Sequence, residues 1–302
     1  MRVGISLGTA YRSGDADGAA SVVRQARAAR EANLDTLSVG DHHATGPMPY
    51  LQNVPTLGRL LAEWDDRPAG CLFLVPLWHP VLMAEQIGTL ADIAAGPFII
   101  QTGLGGGSAQ FQAMGVPRVG RASRLEEGIT LVRGLLRGET VSSALFGFEG
   151  AQIAPLPMRG TEWWVGGGTP EAIDRAARLG DCWYGNADLT ATSARVLIEI
   201  YREACARHGF EPSRIPIRKD VFIAETDTDA ERLGDALMSG GYRGFDRGAV
   251  AYGGVEKVAE QLAVFGEIGY TDIIIRTMPA PLDRAVRSVE LSGDLRTRLQ
   301  SV

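Results

Sequence analysis

Short apolar runs alternate with amphipathic helical segments along the whole chain, and nothing else in the sequence narrows the possible folds as much. Residues 3–7, 34–39, 69–75, 98–102, 162–165, 182–184, 217–224 and 272–276 read as eight strands. Between them lie helical patterns. One follows Asp17 as its cap and runs to about residue 32, with Val22, Val23, Ala26 and Ala29 on one face. Another covers 121–137, with Leu125, Ile129, Val132 and Leu136 at three- and four-residue spacing. Strands that alternate with helices pair in parallel and are covered by the helices that connect them. A doubly wound sheet gives the same alternation. Eight units without a polar linker favour a single (β/α)8 TIM barrel with insertions, one domain over 1–302. A small β insertion is expected at 141–153, and the glycine-rich stretch 240–254 is expected to form a lid.

Charge and cysteine usage remove several function classes. A net charge of −6 argues against a nucleic-acid partner, which wants a basic footprint. Cys71, Cys182 and Cys205 are widely spaced and include no Cys-x-x-Cys pair, so a reduced, cytoplasmic setting is expected. The start of the chain reads as a strand and not as a signal peptide, and the apolar runs are too short to span a bilayer.

Four stretches can carry chemistry. Gly40, Asp41, His42 and His43 follow the second strand, at the end of a barrel where active sites lie. A carboxylate beside an imidazole can fix its tautomer and tune its pKa. Neighbouring residues of an extended segment point opposite ways, so the two histidines should not grip one ligand. With only His79 and His208 besides, a three-ligand zinc site is short of donors, and no metal is expected. Gly103, Gly105 and their neighbours up to Ser108 demand a sharp turn or a close approach, but match neither a dinucleotide fingerprint nor a P-loop. Gly166, Gly167 and Gly168 lead to Thr169 as N-cap and Pro170 as first helical residue, a bare helix start suited to a phosphate. Steric packing is the competing explanation there, and Glu171 could compete with an anion. The fourth stretch, 76–80, reads as a rigid connection carrying Trp78 and His79.

In this order the motifs resemble the bacterial-luciferase-like monooxygenases and their deazaflavin-dependent relatives. They are Val39-Gly-Asp-His-His43, Val75-Pro-Leu-Trp-His-Pro80, Phe111-Gln-Ala-Met-Gly-Val-Pro117, RLEEGITLVRGLL after Ser123, and Trp164-Val-Gly-Gly-Gly-Thr-Pro170. The resemblance implies a luciferase-like barrel with FMN or the deazaflavin coenzyme F420 at its mouth. It places the cofactor phosphate near Gly166, Gly167, Gly168 and Thr169, and adds Gly103 and Gly105 to the cofactor contacts. It implies Asp41 and His42 beside the reactive ring edge, with His42 as acid/base oriented by Asp41. It implies a cis peptide at Cys71–Leu72 supporting the ring. His43, Trp78 and Phe111 are assigned to the substrate pocket. Leu104 stands where luciferases carry a phosphate-gripping arginine, and Gly106 where a sugar-phosphate dehydrogenase branch carries a glutamate. Leu104 and Cys71–Leu72 tilt the choice towards F420. The expected activity is an oxidoreductase acting on a small organic molecule, working as a homodimer, with a separate reductase as a partner. A non-catalytic flavin carrier and a metal-dependent barrel hydrolase are the alternatives.

Overall fold

A computed structural model describes residues 1–11 and 17–300. The few remaining positions of the expected 1–302 domain lie outside the described residues. The elements run β1 (Arg2–Leu7), α1 (Gly18–Glu31), β2 (Leu37–Val39), α2 (Asn53–Leu61), β3 (Ala69–Leu74), α3 (Pro80–Ile93) and β4 (Phe98–Gly103). Then come α4 (Ser108–Ala113), α5 (Arg121–Leu136), β5 (Val141–Ser143), β6 (Phe148–Ala151), β7 (Thr161–Gly166), α6 (Pro170–Leu179) and β8 (Cys182–Tyr184). The chain ends with α7 (Ala191–His208), β9 (Pro216–Ile223), α8 (Asp227–Ser239), β10 (Val250–Gly253), α9 (Val255–Ile268), β11 (Asp272–Thr277) and α10 (Leu282–Gln300). Each anticipated strand is present with its ends shifted by a few residues, and β5 and β6 form the expected insertion as an antiparallel hairpin. Thr190 and Thr226 cap α7 and α8 by accepting from Ser193 N and Asp229 N, whereas the side chain of Asp17 makes no cap bond.

The sheet is not the closed ring of eight strands that the alternation suggested. Its ladder runs β10-β9-β11-β1-β2-β3-β4-β7-β8, nine parallel strands curled into a partial barrel. Between β8 and β9, where a ring would close, pairing shrinks to the bridge Gly185–Ile217. The causes are local. β8 has only 3 residues, and the upper part of β9 pairs with β10 from Val250–Asp220 to Gly253–Ile223. The four residues of β10 are flanked by glycine and arginine turns and give too short an apolar run to be read as a strand from sequence. Consequently only the first part of 240–254, with 3-10 turns at Tyr242–Gly244 and Arg247–Ala249, is free of the sheet.

Alternation along the strands separates two cores. Val3, Ile5, Leu7, Phe98, Ile100, Ile273 and Ile275 pack outward into the main core with the helices. Inward, Ile99, Trp164, Cys182 and Ile274 form a separate plug across the barrel. Glycines make room for that plug, since a Cβ on Gly70 would overlap the Ile99 carbonyl oxygen. At the strand starts beneath it, charges are matched: Arg2 Nε lies 2.8 Å from Asp272 and Arg214 Nε 2.9 Å from Glu162. Apolar packing and paired ions thus close the floor of the barrel.

Candidate active site

Two unlike halves face each other across the barrel mouth. On one side the inward positions are bare or aliphatic: Gly8 beyond β1, Gly40 beyond β2, Leu72 and Leu74 of β3, Gly103 of β4 and Gly166 of β7. A Cβ on Gly103 would sit 3.2 Å from Leu74 Cδ2 and 3.5 Å from Leu72 Cδ1, which puts the three on one wall. On the other side stand Tyr184 of β8, Arg218 and Asp220 of β9, and Arg276 of β11. Tyr242 and Arg243 reach over from the turn after α8. The fully buried Asp220 accepts from Tyr242 Oη at 2.9 Å and Arg243 Nη1 at 3.0 Å, and Arg218 Nε lies 3.5 Å away. Arg276 has no hydrogen-bond or ion-pair partner among the described residues, and its guanidinium lies 3.5 Å from where Gly8 would carry a Cβ. The Tyr184 hydroxyl and the Gln101 side-chain nitrogen are buried in the same barrel without partners among the described residues. Burial keeps Tyr184 protonated by pushing its pKa up.

His42 faces this mouth. A Cβ on Gly40 would lie 4.0 Å from its Nε2, and its ring packs on Tyr50 with centroids 4.2 Å apart. Burial, with Arg276 close by, lowers its pKa to about 4, against the opposing pull of Asp41. The imidazole is therefore neutral near pH 7.

Asp41 does not orient His42. It lies on the opposite side of the strand, fully buried, accepting from Leu74 N at 2.7 Å and Trp78 Nε1 at 2.8 Å. Its histidine is His43, whose Nε2 stands 3.1 Å from Oδ1. The reason is the two-residue period of extended backbone, which puts positions 41 and 43 on one face and 42 on the other. Trp78 is thereby a support for Asp41, packed edge-on against Phe73 and His43.

Cys71 likewise points away from the mouth into the helix-covered core, where burial pushes its thiol pKa up. The Cys71–Leu72 peptide is trans, since Ala154–Pro155 is the cis bond among the described residues. Of the pair only Leu72 faces the mouth. Phe111 is buried with Leu74 and Leu77 beneath the glycine loop: a Cβ on Gly105, itself at φ +71°, would come 3.1 Å from its ring.

The three glycines behave partly as packing requires. A Cβ on Gly167 would overlap the Cβ of Ala172 in the first turn of α6, so this glycine lets the helix start lie against the strand end. Thr169 caps α6 by accepting from Ala172 N. Glu171 interacts with its own backbone N–H and with Thr169, which draws its pKa down. The exposed helix start thus carries an internal carboxylate.

Sequence reading missed the cationic wall: Tyr184, Arg218, Asp220, Tyr242, Arg243 and Arg276. A signal existed. Arg218 and Asp220 are charged at alternate, inward positions of a strand, on either side of the outward-facing Lys219, and a buried charge needs a purpose.

The family model described as "Luciferase-like monooxygenase" matches residues 1–272. The chain is 26% identical over 177 residues to an FMNH(2)-dependent dimethylsulfone monooxygenase of Pseudomonas fluorescens, covering 57% of this chain and 48% of that protein. It is 29% identical over 104 residues to a 5,10-methylenetetrahydromethanopterin reductase of Archaeoglobus fulgidus, covering 34% of this chain and 31% of that one. These alignments thus span half or less of the curated relatives. Among solved structures, a monooxygenase from Streptomyces bottropensis superposes with a TM-score of 0.82 at 20% identity, over 97% of this chain and 98% of that one. An F420-dependent secondary alcohol dehydrogenase, solved with an F420-acetone adduct, gives 0.81 at 15% identity, over 99% and 98%. With its family match extending from the first strand into the last, this chain belongs to the luciferase-like monooxygenases.

Proposed function

We propose that the protein is an oxidoreductase that binds a reduced flavin or deazaflavin in the barrel mouth and acts on a small organic molecule, by hydride transfer or oxygen activation. The supporting observation is the two-sided mouth: a bare and aliphatic wall suited to a planar ring, facing a wall of polar groups. The unpartnered Gln101 nitrogen and Tyr184 hydroxyl fit a ring with a polar edge. When bound, such a cofactor supplies the two-electron redox chemistry, and the protein supplies position and electrostatics.

The residues divide that work. Leu72, Leu74 and Gly103 flank the ring and exclude water. Gly105 lets the neighbouring loop turn, and Gly166, Gly167, Gly168 and Thr169 offer the helix start to a phosphate. Neutral His42 holds or accepts a proton at Nε2, without a carboxylate behind it. Asp41, His43 and Trp78 brace the strand end that carries it. Leu104 still favours F420 over FMN, while the cis peptide that supported the same choice is absent. The relative named for FMNH(2) dependence supports a separate reductase as supplier of reduced cofactor. Cytoplasmic location and a homodimer complete the proposal; among the described residues no helix is long and apolar enough to cross a membrane.

A metal hydrolase would have to use His42 or His43 singly, because the two face opposite sides of the strand. Titration with FMN and with F420, read by fluorescence, tests the proposal. Saturable binding of one of them is expected, and binding of neither contradicts it. His42→Ala should leave cofactor affinity within a few-fold and cut turnover by about 10²-fold or more. Binding without turnover towards any oxidant or substrate would instead favour the flavin carrier.

A further inference from the structure

We propose that the substrate carries an oxyanion, a carboxylate, sulfonate or phosphate group, gripped by Arg218 and Arg276 with Arg243 closing over it. Calling the ligand a substrate rests on the redox reading above; its charge follows from the arginines themselves.

The two ends of the barrel differ in charge balance. At the floor, Arg2 and Arg214 are matched by Asp272 and Glu162. At the mouth, Arg218 and Arg243 share Asp220, and Arg276 stands beside them without an ion pair among the described residues. Asp41 stands near but is already met by Leu74 N, Trp78 and His43. Even with Asp41 counted, three guanidiniums face two carboxylates among the described residues. Arg218 is only 21% exposed at its side chain, and among the described residues its single ionic contact is a 3.5 Å approach to Asp220. Among the described residues Arg276 has no polar partner. Holding guanidiniums so poorly paired in a restricted space costs stability, and an anionic ligand offsets that cost. A guanidinium presents paired donors that match an oxyanion, and the protonated hydroxyl of Tyr184 adds a neutral donor.

Arg243 belongs to a strap. It sits at φ 51° in the turn Tyr242–Gly244, a conformation that disfavours a side chain, and the turn is fastened to Asp220 through Tyr242 and Arg243. An anion arriving at Arg218 and Arg276 competes with Asp220 for Arg243, which recruits the strap. The exposed glycine turn before α6 is a separate position on another strand end, so ring phosphate and substrate anion need not share a site.

The test uses the full-length, cofactor-free protein and calorimetric titration at constant ionic strength. The probes are acetate, methanesulfonate and methyl phosphate, against the neutral acetamide and dimethyl sulfone. At least one anion is expected to bind saturably and the neutral probes not at all. Arg276→Gln should weaken that binding at least ten-fold. Arg218→Lys, which keeps a cation beside Asp220, should weaken it less. Thr169→Ala should leave it unchanged. In NMR titrations the His42 midpoint should move upward when the anion is present, because it screens Arg276, Arg218 and Arg243. Asp41, the remaining charge that His42 feels, is untouched. That movement should vanish in Arg276→Gln. Undiminished binding in Arg276→Gln, equal binding of neutral probes, or strict competition between the anion and FMN or F420 overturns the proposal. Competition would mean that the arginines hold cofactor phosphate. Anion binding as expected with no binding of either cofactor would sink the redox reading and leave the anion site standing.

Discussion

Asp41 and His42 are adjacent in sequence and act in different places. The Asp41 carboxylate is buried and collects a backbone N–H, an indole N–H and His43. Asp41→Asn would set an amide donor against some of these donors, and a loss of about 2–4 kcal/mol in urea unfolding is expected. A loss below 0.5 kcal/mol would show that the cluster carries little. His42 has a folded pKa of about 4, below its ordinary 6.5. The unfolded chain therefore takes up the proton first. This residue's contribution is complete above pH 6.5 and is lost as pH falls from 6.5 towards 4. His42→Gln should flatten the stability profile in that window, and an unchanged slope would contradict the assigned burial. That His42 and His43 diverge was legible from the extended backbone. That Asp41 belongs with His43 follows from the same rule, yet the family resemblance suggested the nearer neighbour. The Arg276 guanidinium could not be placed from sequence, because its position depends on β11 lying next to β1.

At the scale of single elements, the turn from β7 into α6 combines two demands. Gly167 is required by the approach of Ala172, whereas a Cβ on Gly106 would meet nothing within 4 Å. Gly167→Ala should thus lower the thermal midpoint clearly, while Gly106→Ala should not. Similar midpoints for both variants would remove the steric account of the three glycines. The internal carboxylate of Glu171 lies where the helix start would hold an anion. Glu171→Gln should tighten cofactor binding about two- to five-fold by removing like charge from the helix terminus. Weaker binding would place the phosphate elsewhere. The strand-Gly-Gly-Gly-Thr-Pro pattern made the cap legible, since Thr169 and Pro170 have fixed conformational preferences. It left open whether bare backbone serves a ligand or a neighbouring helix. β10 was hidden for a different reason: its four residues, set between arginine and glycine turns, make too short an apolar run to be read as a strand.

Across the whole molecule, the order of strands and helices was legible because hydrophobic periodicity is local. Closure was not, because it depends on how two strand edges meet. The three-residue β8 and the intrusion of β10 beside β9 leave a curled nine-stranded sheet where an eight-stranded ring was expected. The charge of the molecule is also unevenly shared: a net −6 overall coexists with three arginines at the mouth. The field of such a mouth draws anions through an otherwise acidic envelope. Methanesulfonate affinity should fall as sodium chloride rises from 50 to 500 mM, roughly the range over which screening between exposed charges becomes strong. Salt-independent binding would locate it away from the arginines. The claim on which the rest stands is that a redox ring lies between the glycine-leucine wall and the tyrosine-arginine wall. A crystal structure of the protein with its tighter-binding cofactor, FMN or F420, tests it most directly. The account predicts ring density beside Leu72, Gly103 and His42, with a phosphate at Thr169. A ring bound outside the mouth, or a mouth left empty at saturating cofactor, would contradict it.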